Sequence, residues 1–312
     1  MSSRTTTLII LSFLIIYVVW GSTYMFIAYV VEEIPPFTAS CIRYSFAAFV
    51  LIMISLPSRQ FNQLYRKEVL NSFFAGILML GLGSGVVAWV LQYLDSGFTA
   101  LLISVQPLII VFMMWVSDKK RPLFQTFFGV FLGMIGVYLL VSQDEIVTRP
   151  DQWWVILALS GCLLSWSIGS IFISKAAMPK SFIANTSIQF FSGALFTGLV
   201  GFSLENPLDV DWFNLSHFTW YSLLYLAVFG AVLAFLAFNY LLKNVTPDKV
   251  STATYINPII ALILGWWFRD ELVTVQSIVA AAIMLTGVVL INFRLAAVRK
   301  GLYFLLPKKR AS

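Results

Sequence analysis

Gln106-Pro107 and Asn257-Pro258 each set a carboxamide directly before a proline, and the two pairs stand 151 residues apart. A carboxamide donates and accepts hydrogen bonds, so Gln106 and Asn257 can read either end of a zwitterion. Proline removes a backbone donor and clashes with the carbonyl four residues earlier. Within helices, Pro107 and Pro258 would therefore free the carbonyls of Ile103 and Thr254. Two consequences are open. One is a kink that presents polar backbone to a cavity and lets the helix flex; the other is a passive kink of the kind membrane helices tolerate. The matched positions of the two prolines favour the first.

Arg43 is the one charged side chain well inside an apolar run. An arginine at the centre of a membrane helix costs about 2.5–3.5 kcal/mol on insertion scales, so it should face protein or water. It suits two roles: holding a substrate carboxylate or phosphate, or bonding helix carbonyls and snorkelling to the nearer interface. Gln92, Gln189 and Asn239 are further polar groups in apolar surroundings. Trp20, Tyr24, Trp89, Tyr93, Trp166, Tyr240 and Tyr255 could wall an apolar cavity or hold a cation over a ring face; interfacial anchoring and packing are the other uses of such aromatics. No Asp or Glu lies deep in any apolar run, which removes the usual group for proton coupling. His217 stands alone, and Cys41 and Cys162 sit in separate apolar runs. No metal site, cofactor site or disulfide framework is expected.

The elements that must position these residues are set by composition. Of 312 residues 60% are hydrophobic and 11% charged, and the mean hydropathy is +0.89. Soluble domains carry about 25% charged residues; here there are too few to cover a water-facing surface. Lipid is the alternative solvent, and it asks for runs of roughly 20 apolar residues. Such runs lie near 8–30, 37–56, 70–93, 98–117, 123–142, 153–174, 182–203, 218–242, 250–268 and 274–293. The expected fold is thus an all-α membrane protein of ten transmembrane helices. The first run is too long for the core of a cleavable signal.

Assigning the connections alternately to two sides puts 17 of the 20 basic residues on the side of the N-terminus and 11 of the 14 acids on the other. The positive-inside rule then places both termini in the cytoplasm. The net charge of +6 is explained by this asymmetry and needs no nucleic acid.

The halves resemble each other. At the same offset of 151, Trp115 matches Trp266 and Gly136-Val137 matches Gly287-Val288; at 146, Trp20 matches Trp166 and Phe26 matches Phe172. Five spans is an odd number, so the second half must enter the membrane from the opposite face. The expected organisation is two inverted five-helix repeats, over residues 1–147 and 148–294, with a basic cytoplasmic tail over 295–312. Inverted repeats are the ground plan of many secondary transporters, with the substrate between the halves near mid-membrane.

This arrangement resembles the EamA-like branch of the drug/metabolite transporter superfamily. The resemblance is carried by Trp20-Gly21-Ser22, Arg43 opening Arg-Tyr-Ser-Phe-Ala-Ala, Gln106-Pro107, Gly133-Met134-Ile135-Gly136-Val137, Asn257-Pro258, Asp270-Glu271 and Gly287-Val288. It implies export or exchange of amino acids, related metabolites or drugs, and in more distant branches of sugars and nucleotide sugars. The expected activity is export of amino acids or related compounds by alternating access, with uptake or exchange on the same scaffold as the alternative. An enzyme is not expected: no His-Glu-x-x-His signature and no paired intramembrane acids are present. The expected partners are a small-molecule substrate and the lipid bilayer, with a monomer favoured over a dimer. Gly129, Gly133 and Gly136 would allow close helix approach within the bundle. Short connections and the lack of a targeting segment point to a bacterial inner membrane.

Overall fold

The computed structural model describes residues 3–56, 64–118, 124–142, 153–251 and 253–292. Every regular element among them is helical. In chain order they are α1 (Ser3–Glu33), α2 (Pro36–Ser55), α3 (Arg66–Val90), α4 (Ser96–Ile103), α5 (Gln106–Asp118) and α6 (Phe124–Val141). There follow α7 (Trp153–Lys175), α8 (Phe182–Leu204), α9 (His217–Asn244), the single turn α10 (Pro247–Val250), α11 (Ala253–Arg269) and α12 (Val275–Asn292). His217, expected in a loop, is the first residue of α9, and Ser216 before it accepts the Thr219 N–H as an N-cap.

Among the described residues seven helical stretches are long and apolar enough to cross a membrane: α1, α2, α3, the continuous pair α4–α5, α7, α8 and α9. Shorter apolar helices cover Ile256–Arg269 and Val275–Gly287. The surface agrees with a lipid surround. Leu14, Phe49, Phe112, Leu199 and Phe202 are all exposed along these helices, where water would strongly disfavour them.

The most extensive pairings join α2 to α8 and α6 to α12. The glycines of α6 serve the second. A Cβ on Gly287 would lie 2.5 Å from the Gly129 carbonyl, and one on Gly136 would lie 2.2 Å from Met284. Both α3 and α9 carry a π-wound stretch near their middles, Ile77–Gly85 and Leu226–Leu233. Such stretches are rare and often mark functional sites.

At the end of the bundle where the acids gather, carboxylates cap helix N-termini from other parts of the chain. Glu205 accepts from the Phe37 and Thr38 N–H groups at 2.8 Å each. Glu271 accepts from the Ser96 and Gly97 N–H groups at 3.1 and 3.0 Å, and from the Ser96 hydroxyl at 2.8 Å. Glu33 accepts from the Ser216 N–H at 2.8 Å. The unpaired donors and positive dipole end of a helix favour negative charge there. Glu271 is aimed by Asp270, whose left-handed φ of 52° closes α11. The Glu271 N–H then reaches back to the Gly265 carbonyl at 3.2 Å, a Schellman-type end. Arg269 bridges Glu271 at 3.3 Å and Glu32 at 2.7 Å, and lies over the Tyr29 ring. Beside this cluster, partial burial and then the Glu271 charge push the Asp95 carboxyl above the ordinary carboxylate range, with Arg269 opposing.

Candidate functional site

A cavity opens within the bundle, lined by residues of α1, α2, α3, α4, α5, α7, α8, α9, α10 and α11. Six residues singled out from the sequence meet on it: Trp20, Tyr24, Arg43, Gln106, Trp166 and Asn257. Ile103 and Thr254 line it too, and Pro258 deprives the Thr254 carbonyl of its helix donor.

The prolines are not used alike. The helix breaks at Ser104-Val105 and restarts at Gln106, which leaves Pro107 in the first turn of α5. There a missing N–H costs little. Pro258 instead lies inside α11, so the matched kinks expected from the sequence take two different forms.

Arg43 is 6% exposed. Its Nη2 donates to the Tyr44 hydroxyl at 2.7 Å and to Ser84 Oγ on α3 at 2.9 Å. Its guanidinium also lies over the Tyr44 ring, 4.6 Å from the centroid. Nε is buried and finds no hydrogen-bond partner. Among the described residues Arg43 is the one charged side chain lining the cavity. Neutral hydroxyls thus hold a buried cation in place without balancing its charge, and a buried charge without a counter-charge is costly.

Aromatic rings form the facing wall. Trp20 donates Nε1–H to the Gly230 carbonyl at 3.2 Å, in the π-wound stretch of α9. Its ring meets Trp166 edge-on at 5.8 Å and Phe238 at 5.1 Å. Phe235 packs on both indoles at 6.4 and 6.2 Å. Gly83 on α3 makes room for this wall, since a Cβ there would sit 2.9 Å from the Trp166 ring.

Gln106 is 4% and Asn257 2% exposed. The Asn257 amide lies between the Ala253 and Tyr17 carbonyls, two acceptors that assign its nitrogen to that side, where it donates to both at 3.0 Å. Its donor therefore ties α11 to α1.

The other expected site residues lie off the cavity. Trp89 and Tyr93 stack with Trp154 at centroid distances of 5.0–5.1 Å, at the end of α3. Gln92 is exposed beside them. Gln189 and Asn239 belong to a buried network: Asn239 donates to Gln189 at 2.9 Å and to Thr186 at 3.1 Å. Gln189 donates to Asn185 at 3.2 Å, and Ser72 to Asn185 at 2.8 Å. These groups satisfy one another, and their role is to join α3, α8 and α9. Tyr240 packs its ring on Phe182. Tyr255 falls on α11, with its side chain outside the described residues.

The cavity also recruits Tyr44, Ser84, Ser170, Phe235 and Phe238, which sequence reasoning did not single out. A signal existed for one of them, because Ser84 follows three glycine-spaced positions on the helix that must pass Arg43. No group of His, Cys, Asp and Glu among the described residues could hold a metal.

The described residues form an all-helical bundle, with several membrane-length apolar helices around a largely apolar cavity that holds one charged side chain, as in a multi-pass membrane permease. The chain belongs to the EamA-like transporter family, which matches it over residues 7–142 and again over 152–293. It is 29% identical over 279 residues to the uncharacterized inner membrane transporter YedA of Escherichia coli K12, covering 89% of this chain and 88% of that one. It is 23% identical to the uncharacterized transporter YoaV of Bacillus subtilis (91% and 97% covered) and 26% identical to protein PecM of Dickeya dadantii (88% and 89%). One crystal structure shares its fold at a TM-score of 0.70 and 16% identity, over 96% of this chain and 99% of that one.

Proposed function

We propose that the chain is a secondary carrier with ten membrane spans in two inverted five-helix repeats, exporting amino acids or related carboxylate-bearing metabolites by alternating access. The observation that carries this reading is Arg43, a cation held by neutral hydroxyls on a central cavity with one nitrogen still unpartnered. Such a group fits a cargo carboxylate. Carboxylate bonds to guanidinium are strong and directional.

Several pairings support the inverted repeat. Trp20 with Trp166, Gln106 with Asn257 and Ile103 with Thr254 are each equivalent positions of the two halves, and all line the cavity. The tight α2–α8 and α6–α12 packings join elements in the same place of each half, as a two-fold axis in the membrane plane requires. The lining runs to Pro247 and Ser251, in the connection assigned to the basic side. The charge-capped helix ends lie at the other end. This fits a state open to the cytoplasm, in a bacterial inner membrane with both termini inside.

A metabolite-toxicity screen in cells expressing the protein, followed by vesicle flux measurements on the hits, tests the reading. Protein-dependent efflux of a carboxylate-bearing hit is expected. If no such hit moves faster with the protein than without it, the reading fails.

A further inference from the structure

The carrier reading leaves the charge of the cargo open, and the cavity constrains it. We propose that the cargo is a monoanion with an apolar or aromatic body, a monocarboxylate in its simplest form, and that the carrier moves one negative charge outward per cycle. This rests on the carrier reading above and narrows it, from carboxylate-bearing metabolites in general to monoanions in preference to zwitterionic amino acids.

A guanidinium keeps its charge in proteins, and Arg43 is the one charged group among the described residues on the cavity. Its neighbours Tyr44 and Ser84 bring no negative charge, and Nε remains unpartnered. A monoanion bound there makes the occupied cavity neutral. A zwitterion leaves it at one net positive charge, with its ammonium in a cavity that holds no carboxylate. A dianion overshoots. Low polarisability around the site magnifies each imbalance. The body of the cargo meets Trp20, Trp166, Phe235 and Phe238, a wall of rings suited to apolar groups.

Direction follows from the same charge. An empty carrier bears the Arg43 charge, and a loaded one is neutral at this site. Net transfer of a monoanion without a coupled ion moves charge across the membrane, so an inside-negative potential drives it outward. No proton relay is required, which fits spans that lack deep acids.

Three probes of nearly one shape test this: 3-phenylpropionate, phenylalanine and phenylethylamine, with charges of −1, 0 and +1. Each is titrated into the purified full-length protein by calorimetry, and efflux from preloaded, potassium-filled proteoliposomes into potassium-free buffer is read with and without valinomycin, which makes the inside negative. The expected result is binding of 3-phenylpropionate at least about tenfold tighter than phenylalanine, as an uncompensated buried charge implies. Binding is lost in Arg43→Gln and weakened but still anion-selective in Arg43→Lys. An imposed potential should speed anion flux toward the positive side. Phenylalanine binding equally well through Arg43 would overturn the monoanion assignment and leave the carrier reading standing. Flux indifferent to the potential would overturn the charge movement. If none of the three binds, both readings fall.

Discussion

The indoles of Trp20 and Trp166 meet edge to face at 5.8 Å, though 146 residues separate them in the chain. They stand at one of the offsets that relate the halves of the sequence, and both line the cavity. Substitution of either should therefore damage the same wall. Trp166→Ala is expected to lower flux by about tenfold or more, the scale on which hydrophobic pockets discriminate missing bulk. Trp20→Ala should do the same and also lose the bond to Gly230. Initial-rate flux in vesicles with matched protein content checks this.

Arg43→Gln separates function from stability. Removing one member of a balanced buried ion pair costs about 3–5 kcal/mol, whereas an unbalanced buried charge can be lost without penalty. Arg43 is of the second kind. The variant should keep the melting temperature of the parent, or exceed it, while transport of anionic and zwitterionic cargo stops. A large drop in melting temperature would assign Arg43 a structural role.

Asn239→Ala should behave in the opposite way. It removes the amide donor that Gln189 Oε1 and Thr186 Oγ1 accept in a buried network off the cavity. Each orphaned buried group costs about 1–3 kcal/mol. Thermal unfolding in detergent should show the loss, and the apparent affinity of the remaining folded protein should stay unchanged.

Gly76→Ala tests the close packing that sets the cavity walls. The added Cβ would lie 2.0 Å from Ser192 Oγ and 2.3 Å from the Gln189 carbonyl. Backbone must shift, at a cost of about 1–3 kcal/mol or more. Gly161→Ala, which meets nothing within 4 Å, is the matched control and should be silent in the same unfolding assay.

At the acidic end, Glu271→Gln and Glu32→Gln should differ. Glu271 is 8% exposed and accepts from three donors at the start of α4; hydrogen bonds to a charged group are each worth about 1.5–3 kcal/mol. Glu32 is 56% exposed and pairs with Arg269 at the surface, a pair worth about 0–1 kcal/mol. The melting temperature should fall clearly in the first variant and little in the second.

The apolar runs were readable because lipid imposes length on every spanning helix. Arg43, Trp20, Trp166, Gln106 and Asn257 were readable as odd residue types at mid-run. What the runs did not disclose was helical phase. Trp89 and Tyr93 have suitable types, yet their helix turns them toward Trp154. Gln189 and Asn239 are polar in apolar runs for a different reason: each satisfies the other, and that needs the α8–α9 contact to be seen. Phe235, Phe238 and Ser170 carry no signal at all in a chain with 28 phenylalanines. The π-wound stretches of α3 and α9 were equally hidden, since nothing in local composition separates them from ordinary helix.

The central claim is that cargo sits in the mid-bundle cavity with its carboxylate on Arg43. Counterflow of the strongest carboxylate hit in proteoliposomes, compared between the parent protein and Arg43→Gln at equal incorporation, tests it most directly. The account predicts exchange in the parent and background flux in the variant. Equal exchange in both would contradict it.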